Sequence, residues 1–312
     1  MPEPSVDALY EQVRTAVPVT TAETTGELLP VAPGIRVLAL RTPTLPPAAH
    51  TNTYLVGPDA GPQLVVDPGS PYPDQQVILD TALAAEEAAG RPLGLVLLTH
   101  HHGDHIGGAV ALAARWGVPI AAHANTARRL GGRVAITREI ADGEVIDDYA
   151  VTAVHTPGHA DGHLVFEHRG AAIAGDMVAG IGTILIDPSE GDMAEYLASL
   201  SRMLSRAPTV LLPAHGPSIT DAAGKLREYI AHRTMREDRV VAALAARTDA
   251  SLADLVPEVY SDTPRILWPL AERSLRAHLD KLVKEGRARE VGPGRPNWSG
   301  PDSLGPARWT SR

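Results

Sequence analysis

The chain contains no cysteine. Disulfides, a thiolate nucleophile and sulfur ligation are therefore excluded, and any metal must be held by imidazoles and carboxylates. Such donors suit zinc first and manganese or iron next. Aromatic residues are scarce as well: one Phe, four Trp and seven Tyr among 312 residues. Proteins that bind single strands commonly stack bases on aromatic rings, so the chain has few such platforms. No stretch approaches eighteen uninterrupted apolar residues, and the start, Met-Pro-Glu-Pro-Ser-Val-Asp, has neither the basic residues nor the apolar run of a signal peptide. The expectation is a soluble, cytoplasmic protein with no membrane partner.

What is present supports a real core, since 44% of the residues are hydrophobic. The length suits one large domain with a small appendage. Charge divides the same way. Residues 1–222 carry 12 Lys and Arg against 25 Asp and Glu, whereas residues 223–312 carry 16 against 12. An acidic first part suits a domain that offsets charge with divalent cations, and a mildly basic second part permits contact with a polyanion.

Patterning divides the chain into an N-terminal extension over 1–33, with a helix over 6–17, a catalytic domain over 34–222, helical and winged-helix-like elements over 223–292, and a loose tail over 293–312. Short apolar strands are expected at 35–40, 53–56 and 64–66, punctuated by Pro and Gly. Helices at 75–89 and 106–116 then alternate with strands at 94–98 and 119–122. Further strands follow at 150–154, 163–166 and 171–174. Sheets covered by helices follow from that alternation. A long helix over 221–246 precedes segments at 251–260 and 266–285 and a short strand at 287–291. In the 266–285 segment Ile266, Leu267, Leu270, Leu275, Leu279, Leu282 and Val283 recur at helical spacing, which reads as core.

The chemistry concentrates in Thr-His-His-His-Gly-Asp-His, residues 99–105, where His100, His102, Asp104 and His105 follow the spacing His-x-His-x-Asp-His. A strand alternates faces and a helix aligns only i, i+3 and i+4, so these four groups converge only from a loop. Three more candidates end expected strands beside Gly or Pro: His159, Asp176 and His215. Loops at a sheet rim are where ligands and catalytic groups are usually supplied.

These residues resemble the metallo-β-lactamase-fold hydrolase superfamily. The resemblance rests on Val-Val-Asp67-Pro-Gly, the His100 cluster, Thr-Pro-Gly-His159, Gly-Asp176 and His215-Gly-Pro, and it covers most of 34–222. It implies an α+β, four-layer αββα sandwich, followed here by a small winged-helix-like domain. It further implies two divalent ions, Zn2+ before Mn2+ or Fe2+. His100, His102 and His159 would hold one, Asp104, His105 and His215 the other, and Asp176 would bridge them. Asp67 would stand behind a ligand, because a carboxylate that accepts an imidazole's outer N–H fixes its tautomer and raises its basicity. His101 and His155 match no ligand position, and His163 is a candidate for the pocket wall. Ions about 3.5 to 4 Å apart can share a hydroxide near neutral pH, with Asp104 as the catalytic residue that orients it and handles its proton.

The substrate is open at this stage. Thr51-Asn-Thr-Tyr-Leu-Val-Gly, His159-Ala-Asp-Gly-His163 and Tyr229-Ile-Ala-His-Arg-Thr-Met-Arg-Glu, with the winged-helix-like end, look like the β-lactamase-like endoribonuclease group. That ranks single-stranded RNA first, with Arg233, Arg236, Arg239, Arg273 and Arg276 as phosphate contacts. The alternative is hydrolysis of acyl-carrier or small acyl thioesters. A redox diiron protein, a non-catalytic metal binder, a glyoxalase-type enzyme and a true β-lactamase rank lower. A homodimer is compatible with the sequence.

Overall fold

The run Leu93–Leu97 is apolar throughout apart from Gly94, and it lies covered on both faces. Leu95 and Leu97 point into one hydrophobic core, while Val96 and Leu98 point into another. A parallel strand between two apolar layers needs no polar face, so it reads as a continuous run rather than an alternation. It is one strand of a seven-stranded sheet: β1 (Leu29–Ala32), β2 (Ile35–Arg41), β3 (His50–Val56), β4 (Gln63–Val66), β5 (Leu93–Leu97), β6 (Ile120–Ala122) and β7 (Arg138–Glu139), in that order. A computed structural model describes residues 6–17, 26–292 and 307–311.

A second sheet has the order β12-β11-β10-β9-β8, with β8 (Val145–Ile146), β9 (Val151–His155), β10 (Leu164–His168), β11 (Ala171–Gly175) and β12 (Val210–Pro213). The two sheets face one another across Val66, Leu97, Phe166, Ile173 and Leu212. Helix α1 is Val6–Ala16; α2 (Pro73–Ala88), α3 (Gly103–Ile106), α4 (Ala109–Trp116) and α5 (Ala124–Leu130) follow. Leu79 and Leu83 of α2, Leu112 of α4 and Leu130 of α5 cover the outer face of the first sheet. Met193, Tyr196 and Leu200 of α6 (Met193–Arg206), with Leu226 of α7 (Ala222–Ala245), cover that of the second. The four layers are therefore αββα.

The C-terminal unit has its own core. Val240 and Leu244 at the end of α7 meet Leu255 of α8 (Leu252–Val259), Leu275, Leu279 and Leu282 of α9 (Trp268–Lys284), and Trp309. A three-stranded sheet, β13 (Ala250–Ser251), β14 (Ala288–Val291) and β15 (Arg308–Ser311), closes it, with β15 central.

Three expectations need correction. The expected extension 1–33 includes a sheet strand, because β1 pairs with β2. The expected loose tail 293–312 ends in β15, whose Trp309 is 0% exposed; residues 293–306 and 312 lie outside the described residues. The expected helix 106–116 divides into α3 and α4 around Gly107 and Gly108. A Cβ on either would come within 3.0 Å of a backbone oxygen, at Gly69 or Pro68. The helix breaks where the ligand loop is pressed against the turn after β4.

Candidate metal centre

All seven expected ligands converge at one rim of the sandwich. The loop after β5 supplies His100 and His102, and α3 supplies Asp104 and His105. His159 lies in the loop after β9, Asp176 directly follows β11, and His215 follows β12. Gly69 lets this assembly close: a Cβ there would fall 1.9 Å from the Asp104 carbonyl oxygen. Any side chain would push the ligand loop away.

Two clusters form. His100 Nε2 lies 2.9 Å from His102 Nδ1 and 3.3 Å from His159 Nε2, and the last two are 3.1 Å apart. In the second, His215 Nε2 lies 3.6 Å from Asp104 Oδ2, and His105 Nε2 lies 3.9 Å from Asp104 Oδ1. Asp176 stands between them. Its Oδ2 is 3.6 Å from His159 Nε2, while its Oδ1 is 3.3 Å from His215 Nε2 and 3.5 Å from His105 Nε2.

The outer nitrogen of each of the five imidazoles lies within hydrogen-bond distance of an oxygen, which favours a proton on that side. His159 Nδ1 is 2.8 Å from the Leu185 carbonyl, and His215 Nδ1 is 3.0 Å from that of His50. Asp67 Oδ2 is 2.8 Å from His105 Nδ1, and Glu190 Oε1 is 2.8 Å from His102 Nε2. Thr99 Oγ1 donates to Asp67 at 2.6 Å, which leaves its lone pair for His100 Nδ1 at 3.0 Å. With their protons on the outer side, as a bound cation would require, five inner nitrogens would present lone pairs, three of them towards one point. Lone pairs at such separations repel unless a cation lies among them.

The donor set fits divalent ions. Buried His105 Nε2 and Asp176 Oδ1 have no hydrogen-bond partner although both face the gap, and buried polar atoms are ordinarily paired. The first cluster's spacings resemble the edge of a tetrahedron with zinc-imidazole bonds of about 2.0 to 2.1 Å. Electrostatics agree. Burial and neighbouring imidazoles hold His159 down at about 4, in the neutral form a ligand requires. Burial also works to lower His105, but Asp176, Asp104 and Asp67 outweigh it and push the group well up. Three carboxylates around one imidazole call for positive charge.

Two neighbours of the centre are invisible to motif spacing. Glu190 reaches His102 and also His101 Nε2, 2.9 Å away. Burial would raise its carboxyl, yet the bonds from His101 and His102 hold it well below the usual range. Tyr10 comes from α1, which is fastened by Arg14 to the Pro43 carbonyl at 2.6 Å and packs on the turn Arg265–Leu267. Burial, then the carboxylates of Glu190, Asp104, Asp187 and Asp176, drive its phenol well above the ordinary value. It is a protonated hydroxyl beside the acidic centre. His163, expected in the pocket wall, is instead 0% exposed behind the ligands, where its Nε2 accepts from the Asp176 backbone at 3.1 Å. His155 stacks on His123 with ring centroids 4.2 Å apart, away from both clusters.

The five arginines expected to contact phosphate are all engaged with acceptors of the same chain, and Arg233 and Arg236 are buried. Arg233 is 4% exposed and donates to the Ile184 carbonyl, and Arg236 and Arg239 both bind Asp262. Arg273 lies 3.8 Å from Asp187, and Arg276 pairs with Asp280 and Glu290. Their charge is compensated within the fold.

Residues 46–215 match the metallo-beta-lactamase superfamily. The chain belongs to that superfamily. It is a metal-dependent hydrolase fold, and residues 251–298 match the beta-lactamase associated winged helix domain. A beta-lactamase-like protein 2 homolog of Drosophila melanogaster is 32% identical over 272 residues, 82% of this chain and 89% of that protein. An atrochrysone carboxyl ACP thioesterase of Claviceps purpurea is 30% identical over 264 residues, 80% of each. Among solved structures, a beta-lactamase domain protein from Burkholderia ambifaria superposes with a TM-score of 0.75 at 24% identity, covering 94% of this chain and 97% of that one. In this superfamily member no helix among the described residues is long and apolar enough to cross a membrane.

Proposed function

We propose that the protein is a dinuclear zinc hydrolase of acyl thioesters, on a carrier protein or a small thiol, with manganese or iron(II) as competent substitutes. The observation that carries this reading is the internal pairing of all five candidate phosphate contacts. It counts against ranking RNA first, because phosphate binding rests on Lys and Arg whose charge is free to meet the backbone. The likeness over four fifths of its length to a protein named as a carrier-protein thioesterase supports the same choice.

Two bound divalent ions would lower the pKa of water and polarise the carbonyl oxygen under attack. His100, His102, His159 and Asp176 would hold one, and Asp104, His105, His215 and Asp176 the other. Asp104 lies buried, which favours its neutral acid, but His105 and His215 outweigh that and keep it ionised. Its carboxylate can orient the attacking water and accept a proton from it. As the carbon–oxygen bond forms, the carbon–sulfur bond breaks and the proton leaves with the thiol. Tyr10 stays protonated at neutral pH, so it can donate a hydrogen bond but not act as a base.

Metal-loaded protein should release thiol from an acyl-N-acetylcysteamine thioester and leave a single-stranded oligoribonucleotide intact. RNA cleavage without thiol release would reverse the assignment.

A further inference from the structure

Residues 180–192, the later part of the connection from β11 to α6, run between the metal centre and the C-terminal helices. Two atoms of this strap orient the first cluster: the Leu185 carbonyl binds His159 Nδ1, and Glu190 binds His102 Nε2, each at 2.8 Å. At its start the strap touches the backbone of the second cluster, where the Gly180 N–H donates to the His215 carbonyl at 2.7 Å, but the imidazoles there are oriented from elsewhere, by Asp67 on His105 and by the His50 carbonyl on His215. The remaining imidazole of the first cluster, His100, is held by Thr99.

The strap itself is held from α7 and α9. Arg233 of α7, 4% exposed, donates to the carbonyl of Ile184, the residue before Leu185. Asp187, 2% exposed, lies 3.8 Å from Arg273 of α9. It shapes the turn that presents Glu190: its carbonyl accepts from Gly191 at 2.7 Å, and its Oδ1 accepts from Ser189 at 2.8 Å. Asp192 pairs with Lys284 of α9, and its backbone N–H donates to the Gly158 carbonyl, beside His159, at 2.8 Å. The helices therefore grip the strap on both sides of Leu185 and Glu190.

We propose that Arg233 and Arg273 are positioning residues for the first metal cluster, so that α7 and α9 set its metal affinity through the 180–192 strap while leaving the second cluster unaffected. The inference rests on the dinuclear reading of the site and not on the identity of the substrate. Losing a partner that orients a ligand typically costs 10- to 100-fold in metal affinity. One step further out, a loss of about 10-fold is expected.

The test uses the full chain with Zn2+ titrated against a chromophoric chelator. Arg273→Met and Arg233→Met are each placed in two backgrounds, His215→Ala to disable the second cluster and His159→Ala to disable the first. The expected result is about tenfold weaker zinc binding in the His215→Ala background and no change in the His159→Ala background, with Glu190→Gln behaving alike. Should Arg233→Met fail to fold, Arg273→Met and the more exposed Lys284→Ala carry the comparison. Equal weakening in both backgrounds would mean general loosening and would overturn the proposal, as would unchanged affinity in both. Melting of the metal-free variants separates lost stability from lost affinity.

Discussion

Asp67 Oδ2 lies 2.8 Å from Nδ1 of His105, and the same carboxylate accepts from the Thr99 backbone N–H and hydroxyl at 2.8 and 2.6 Å. Three donors on one buried carboxylate fix the tautomer of His105 and, through Thr99, the ring of His100. Both clusters are thereby tied to the turn after β4. An Asp67→Asn variant keeps the shape but can turn an NH2 towards His105. Zinc affinity should fall by about 10- to 100-fold, read by chelator competition on folded protein. Unchanged affinity would show that Asp67 only shapes the turn.

Asp104 is assigned both a ligand position and the handling of water's proton. Replacing it with Ala should depress turnover by at least about 100-fold, the lower range for a positioned acid or base, while far-ultraviolet circular dichroism stays that of the parent. Full activity together with full metal content would remove Asp104 from the mechanism.

Most of the candidate ligand set is legible in the sequence because its members follow strand ends marked by Gly, Pro or the His cluster, and the structure brings them together. Local spacing fixes such positions. The two-faced burial of 94–98 likewise announces a covered sheet. Glu190 is not legible, since it reaches His102 from 88 residues away through a strap with no periodicity. Tyr10 is hidden for a similar reason: a short amphipathic helix says nothing about what it lies against. The arginines on α7 and α9 mislead because composition records charge but not its partner. Trp309 is masked by its Pro, Gly and Arg surroundings, which read as tail although the ring fills the last core.

Trp309 therefore offers a stability test. It is 0% exposed between α7, α8 and α9, and Arg276 lies 5.0 Å from its ring centroid. Trp309→Ala should destabilise the C-terminal unit by about 3 to 5 kcal/mol, seen in urea denaturation. A loss below about 0.5 kcal/mol, typical of surface changes, would contradict a core role.

Glu237 links pH to the same unit. Burial would raise its carboxyl, but the His278 ring 3.8 Å away and the bonds from Lys281 and Arg287 hold it down at about 2, below its ordinary 4.5. A depressed folded-state value means that the stabilisation is fully present above about 4.5 and fades as pH falls towards 2. Metal-free protein should exceed Glu237→Gln in urea midpoint at pH 7, and the gap should narrow between pH 4.5 and 3. A gap that widens on acidification would have the wrong sign.

Helix α1 carries Tyr10 within electrostatic reach of Asp104, Asp176 and Glu190. Deleting residues 1–17 should leave the two sheets intact and speed the stripping of zinc by a chelator several-fold, followed by stopped-flow absorbance. An unchanged stripping rate would place α1 away from the entrance.

The central claim is that these seven ligands serve metal-dependent thioester hydrolysis. Its most direct measurement gives one zinc-loaded preparation both an acyl thioester and a single-stranded RNA, beside Asp176→Ala. Thiol release should disappear in Asp176→Ala and on chelation, with the RNA left intact. Thiol release that survives both treatments, or RNA cleavage in its place, would contradict it.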